Sequence, residues 1–167
     1  MRLMFQLASS FNSPIGAWDT SSVTDMTGMF ASATSFNQPL DSWNTSQVTK
    51  MNGMFTIAHA FNQPLDSWDT SKVTNMRGMF SDAKVFNQFI GSWDTGSVTD
   101  MNSMFATALA FNQSIESWDV SKVTNMKLMF AASTISSFNQ PLNLWDTSSV
   151  TTMEGMFSGS SFDQPPG

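Results

Sequence analysis

Six Met-x-x-Met pairs, from Met26 and Met29 to Met153 and Met156, are the first feature of this chain that could do chemistry. Paired thioethers are soft ligands suited to Cu(I). Each pair is followed at once by a phenylalanine, as at Phe30, Phe55 and Phe80. Methionine beside phenylalanine on an apolar face is a flexible core filler, so the pairs read as packing and no bound metal is expected. The only histidine, His59, has Thr34, Lys84 and Leu109 as its counterparts elsewhere in the chain. With no cysteine, no tyrosine and no matched carboxylate pair nearby, it reads as a solvated side chain. No Ser-His-Asp set, phosphate-binding glycine loop or zinc signature occurs. The expectation is a protein that is not an enzyme, with no catalytic residue and no cofactor.

Three polar columns invite other chemistry. An Asp or Asn follows every tryptophan (Asp19, Asn44, Asp69, Asp94, Asp119, Asp146), and stacked carboxylates can hold calcium. The following Thr-Ser fits better an Asx turn, in which the side chain bonds to backbone two residues on. Thr20, Thr45, Thr70, Thr95 and Thr147 form a threonine array of the kind that binds ice, but local turn chemistry already accounts for it. Asn12, Asn37, Asn62, Asn87, Asn112 and Asn139 read as an internal amide ladder that satisfies backbone groups. Asn44-Thr45-Ser46 and Asn112-Gln113-Ser114 match the N-glycosylation pattern, which this composition also produces by chance.

The elements that must carry these columns are repeats. Phe11, Phe36, Phe61, Phe86, Phe111 and Phe138 open six near-identical units, with partial units at 1–10 and 162–167 and an insertion around Ser133 to Ser137. Trp18, Trp43, Trp68, Trp93, Trp118 and Trp145 follow each opening phenylalanine by seven residues. No unit can bury its Phe, Trp, Val, Met, Met and Phe alone, but stacked units can. The expected fold is therefore a single solenoid domain, 1-167, in which Trp68 and Trp93 lie against each other. Neither terminus is polar enough to cap such a stack, which points to truncation of a longer array or to end-to-end self-association.

Within a unit, Met26, Met29 and Phe30 are spaced i, i+3, i+4 and predict a one-turn helix. Thr24, Thr49, Thr74, Thr99, Thr124 and Thr151 stand just before that turn and read as N-caps. Gly28, Gly53, Gly78 and Gly155 fall inside it, interrupted by Ser103 and Leu128, and read as a close approach by the neighbouring coil. The Phe36 to Trp43 stretch predicts a short strand, since Pro39 excludes helix there.

Composition narrows the partners. The 41% apolar and 13% aromatic content supports a packed core, while only 12% of residues are charged, against roughly 25% in ordinary soluble chains. Thirteen acidic and seven basic residues leave a net charge of -6, which disfavours nucleic acid and anionic lipid. No apolar run approaches the roughly 18 residues of a membrane span, so this segment is expected not to insert in a membrane.

Segments such as Phe61-Asn-Gln-Pro-Leu-Asp-Ser-Trp-Asp-Thr-Ser-Lys-Val-Thr-Asn-Met-Arg-Gly-Met-Phe80 resemble, throughout, the surface-protein repeat of the BspA-like leucine-rich-repeat superfamily, in its Trp- and Met-Phe-rich mycoplasma-type version of unknown function. Six copies cover almost the whole chain. The resemblance implies a leucine-rich-repeat-like solenoid of about six 25-residue coils, with short parallel strands on one side and one-turn helices and loops on the other. It also implies an extracellular or cell-surface protein involved in adhesion.

Partner choice then falls to the variable outward columns. Asp41, Asp66 and Glu116 make one of them acidic, facing out of the strand, while Lys72 and Lys122, with Arg77 and Lys127 beside them, make the others mildly basic. The functional expectation is a surface module that binds a protein or a glycan through these columns. A structural spacer or an ice-binding surface is the alternative.

Overall fold

The structure, a computed structural model, describes residues 1–134 and 136–165. Ile135, within the expected insertion, and Pro166 and Gly167, at the end of the last partial unit, lie outside the described residues.

Successive units lie against one another in a single register. The Thr49 amide donates to the Thr24 carbonyl (2.9 Å) and the Met26 amide to the Lys50 carbonyl (2.9 Å), which makes a parallel bridge between Asp25 and Lys50. The same bridge continues through Asn75, Asp100 and Asn125 to Thr152. Each bridge is one residue long, and among the described residues there is no helix and no longer strand. The expected leucine-rich-repeat-like solenoid, with parallel strands on one side and one-turn helices on the other, is therefore not what this chain forms. It is built almost wholly of turns and loops.

The helix fails because the backbone turns left-handed where helix geometry is needed. Gly28, Gly53 and Gly78 have φ of 57, 64 and 61°, and the non-glycine residues in the same column, Ser103 and Leu128, follow them at 54 and 56°. A second left-handed residue comes four positions later, at Ser32, Ile57, Asp82 and Thr107. An α-helix needs N–H(i) to bond C=O(i−4). Here the amides alternate instead. Met26, Gly28, Phe30 and Ser32 donate to the next unit at Lys50, Asn52, Met54 and Thr56 (2.7 to 2.9 Å), while Met29, Ala31 and Ala33 close tight turns onto Met26, Gly28 and Phe30 (2.9 to 3.2 Å). The glycine column thus answers a need for positive φ. Crowding is no general cause, because a Cβ on Gly53 or Gly78 would meet nothing closer than the Thr56 hydroxyl, at 3.4 and 3.7 Å.

With no helix to cap, the Thr24 column does different work: the Thr49 hydroxyl donates to the Thr24 carbonyl (3.1 Å), and Thr74, Thr99, Thr124 and Thr151 repeat the bond. Their reading as N-caps is corrected accordingly. No strand forms from Phe36 to Trp43 either. The Asn37 amide bonds to the Asn12 side chain (2.9 Å) and Pro39 has no N–H to offer, so side-chain amides replace backbone pairing along this edge. The asparagine ladder continues at Asn62, Asn87, Asn112 and Asn139, each backbone amide taking the previous side-chain oxygen.

The core lies between these edges. Phe80 stacks on Phe86 at 4.0 Å between ring centres, and on Phe55 and Phe105 of the flanking units at 5.6 and 5.7 Å. Trp68 and Trp93 stack at 6.5 Å with planes 3° apart, as expected of neighbouring rungs. Each indole N–H is also satisfied, Trp68 donating to the Leu40 carbonyl at 3.0 Å and Trp93 to Leu65 at 2.9 Å. Trp43, Trp68, Trp93 and Trp118 are buried, while Trp145 is half-buried and Trp18, at one end of the stack, is 39% exposed.

Candidate functional site

Most residues that could have done chemistry are used by the fold. Met26, Met29, Met51, Met54, Met76 and Met79 have no exposed surface at all, which leaves their sulfurs inside the core. Thr20, Thr45, Thr70 and Thr95 are buried too, their hydroxyls donating to the carbonyls of Asn44, Asp69, Asp94 and Asp119 (2.8 to 3.0 Å). Only Thr147, in the last unit, is exposed, so the column presents no continuous array to water. Each Asp or Asn after tryptophan accepts the amide of the residue two positions on, from Ser21 on Asp19 (2.9 Å) to Ser148 on Asp146 (3.0 Å), which is the expected Asx turn. In Asp19, Asp69, Asp119 and Asp146 the hydroxyl and then the backbone amide of the following serine hold the carboxyl below its ordinary value of 3.8. His59 is not simply solvated: its Nε2 lies 2.8 Å from the Asp82 carboxylate, with Lys84 3.9 Å from the other oxygen.

The outward rows differ in how much of their polarity is left free. Asp41 and Asp66 are exposed and Glu116 is half-buried; at the acidic row's fourth position Gly91 takes the place of a carboxylate, and the ring of Phe89 lies within 2.8 Å of where its Cβ would stand. Lys72 is exposed and donates to Gln47 (3.0 Å), Lys122 is exposed, and Lys127 pairs with Glu154 at 2.7 Å. Arg77 is exposed and makes no ion pair among the described residues.

Arg77 lines a shallow, open polar concavity. Side chains at the glycine position lean over the next unit: Leu3 comes within 2.6 Å of where a Cβ on Gly28 would stand, and Leu128 within 2.8 Å of one on Gly155. Between these ends the column holds Gly53 and Gly78, with no side chain to lean. A groove of about 350 Å³ opens there, lined by Asn52 and Thr56, Arg77 and Ser81, and Asn102 and Ser103. Much of its wall is fixed in advance. The Thr27 hydroxyl donates to Asn52 Oδ1 (2.9 Å), the Thr56 hydroxyl donates to the Gly78 carbonyl (2.7 Å), and Asn102, only 8% exposed, donates to the Lys127 carbonyl (3.1 Å) while accepting the Ser103 hydroxyl (3.2 Å).

Of the expected binding residues, the groove takes in Arg77 alone; Lys127 is drawn to Glu154, and Asp41, Asp66, Glu116, Lys72 and Lys122 do not line it. Thr56 and Ser81 carry no signal in the sequence and Ser103 shows only as a break in the glycine column; the glycine column beside the row of Asn52, Arg77 and Asn102 is the feature that marks the place.

A second concavity, about 340 Å³, lies at the last unit and is largely apolar, lined by Leu142, Trp145, Met153, Met156, Phe157 and Phe162 among others. At the opposite end Leu3, Met4 and Leu7 are exposed. Among the described residues no helix is long and apolar enough to cross a membrane.

What these features define is a protein of stacked, mutually hydrogen-bonded repeats whose central methionines, tryptophans and first threonine column are taken up in the core. The chain matches the family described as "Mycoplasma protein of unknown function, DUF285" over residues 1–88 and again over 62–166, and it belongs to that family. No curated protein and no solved structure matches it.

Proposed function

We propose that the chain is a non-enzymatic binding module that recognises a protein or a glycan through its outward polar rows, with the groove at Arg77 as their centre. The single observation that carries this reading is the contrast between a core that absorbs the sulfurs and indoles of the central units and an outer wall that leaves the Arg77 guanidinium free of any ion pair among the described residues. Kinship with BspA-like surface repeats and a place at the cell surface, as part of an adhesive protein, belong to the same proposal. The net charge of -6 argues against nucleic acid and anionic membrane as partners.

The test is a glycan array together with capture of surface-protein ligands, using the folded chain and a variant with Arg77, Lys72 and Lys122 replaced by Gln. Binding that survives this triple replacement, or no binding at all, ends the reading. Burial of Thr20, Thr45, Thr70 and Thr95 counts against the ice-binding alternative and has no bearing on a structural spacer. Thermal hysteresis in a solution of the pure chain would restore ice binding. End-to-end association through the two apolar ends is a further part of the proposal, and sedimentation showing a monomer at all concentrations removes it.

A further inference from the structure

We propose that the groove over Gly53 and Gly78 binds an acidic saccharide, one bearing a carboxylate or sulfate, with the acid group on Arg77 and sugar hydroxyls on the surrounding amides and hydroxyls. This rests on the binding-module reading and names the ligand for it.

Three observations converge. The first is shape. At about 350 Å³ the groove falls at the small end of ligand sites, and Leu3 and Leu128, leaning over Gly28 and Gly155, confine the open part of the column to the central units. That suits a short saccharide.

The second is the chemistry of the wall. Its side chains end in amide, hydroxyl or guanidinium groups, with no aromatic or aliphatic side chain among them. A docked peptide draws most of its affinity from apolar anchors in desolvated pockets, and none is offered here. A polyhydroxylated ligand instead matches the free groups. Asn52 Oδ1 is already taken by Thr27, which turns that amide's N–H groups into the available donors, and the half-buried Ser81 also lines the wall. The Asn102 and Thr56 side chains are held by their own hydrogen bonds, so they lose little freedom when a ligand arrives.

The third is charge. The chain carries a net charge of -6, yet no carboxylate lines this groove and the neighbouring cation of the row, Lys127, is neutralised by Glu154. Arg77 therefore stands as a free planar fork, the geometry that takes carboxylate or sulfate oxygens in pairs.

The experiment is calorimetric titration of the folded chain with three disaccharides: a uronic-acid one, a sulfated one and a neutral one of the same size. Expected is binding of one or both acidic sugars and not the neutral one. Which acidic sugar binds tells carboxylate from sulfate. Arg77→Gln should weaken the acidic sugar by about ten- to a hundred-fold, the loss of one charge-assisted contact. Ser81→Leu, which fills the groove and leaves Arg77 in place, should abolish binding, and Lys50→Gln, an exposed cation outside the groove, should not change it. Circular dichroism of each variant checks the fold. Failure of both acidic sugars to bind, equal affinity in Arg77→Gln, or an equal loss in Lys50→Gln overturns the inference. If the array nonetheless shows a neutral glycan or protein ligand lost in the triple variant, the binding module survives without this ligand.

Discussion

The turn after each tryptophan and the Met-x-x-Met-Phe segment that follows it are neighbours in every unit, but they are closed in opposite ways. At Asp69 the bend is held by its own unit, since the carboxylate takes the Ser71 amide two residues on. At Met76 to Ala83 every second amide reaches the next unit: those of Met76, Gly78, Phe80 and Asp82 donate to residues 100 to 106 (2.7 to 3.0 Å), alternating with tight turns inside the unit. The first region can form as soon as its residues are linked. The second has no reason to take left-handed geometry until another coil lies against it, and so it ties units to each other. Cooperativity should reside there.

The largest expected effect comes from breaking the neighbour-closed region at its core. Phe80→Ala removes a ring fully buried between Phe55, Phe86 and Phe105 and should cost about 3–5 kcal/mol, read as a drop in the midpoint of urea unfolding followed by tryptophan fluorescence. A cost below about 1 kcal/mol would mean that the stacked rings do not hold the units together.

Next comes the backbone. Gly78→Ala puts a Cβ in ordinary contact with Thr56 and Ser81, 3.7 and 4.0 Å away, but onto a φ of 61°, so the loss should be conformational, about 1–2 kcal/mol. Ser103→Gly relieves the same strain at φ 54° and should move stability the other way, by up to about 1 kcal/mol. Both are read from thermal melts, and two changes of the same sign would show that left-handed geometry is not what the glycine column supplies.

Beside the self-closed turn a single side-chain bond crosses to the next unit, and the effect there should be smaller. Thr70→Val deletes the hydroxyl that donates to the Asp94 carbonyl (2.8 Å) and should cost about 1 kcal/mol. The fifth unit already carries Val120, buried in the corresponding place, so the fold must survive the change. Smallest is Asp69→Asn, since Asn44 makes the same turn with an amide (3.0 Å). At neutral pH this variant should melt with the parent, while in acid the two should part. The carboxyls of Asp19, Asp69, Asp119 and Asp146 sit below 3.8 in the folded chain, so their contribution is complete above that pH and fades as pH falls through each native value. Melts between pH 5 and about 2 should show parent stability falling and the Asp69→Asn share of that fall missing; identical curves would remove the Asx carboxylates from the acid response.

The groove sits on the neighbour-closed region, and this is why only part of it could be read in advance. Arg77 stood out as one of seven basic residues. Its companions Thr56 and Ser81 come together with it only because Gly53 and Gly78 send no side chain over the next unit. The glycines were visible, yet i, i+3, i+4 spacing of Met76, Met79 and Phe80 satisfies one helical face as well as it satisfies two successive turns, and apolar spacing does not distinguish them. Likewise two threonine columns four residues apart cannot be told apart by type: Thr70 is buried and Thr74 exposed, the reverse of an exposed array followed by a cap.

The amino-acid sequence by itself determined the register of the units, the aromatic rows and the Asx turns, because each follows from periodicity or from a bond between residues two apart in the chain. Only the tertiary structure decided the left-handed turns, the absence of helix and strand, the burial of one threonine column and the opening at Arg77. Those depend on backbone amides finding carbonyls some 24 residues away, and a hydrogen bond of that reach has no local trace.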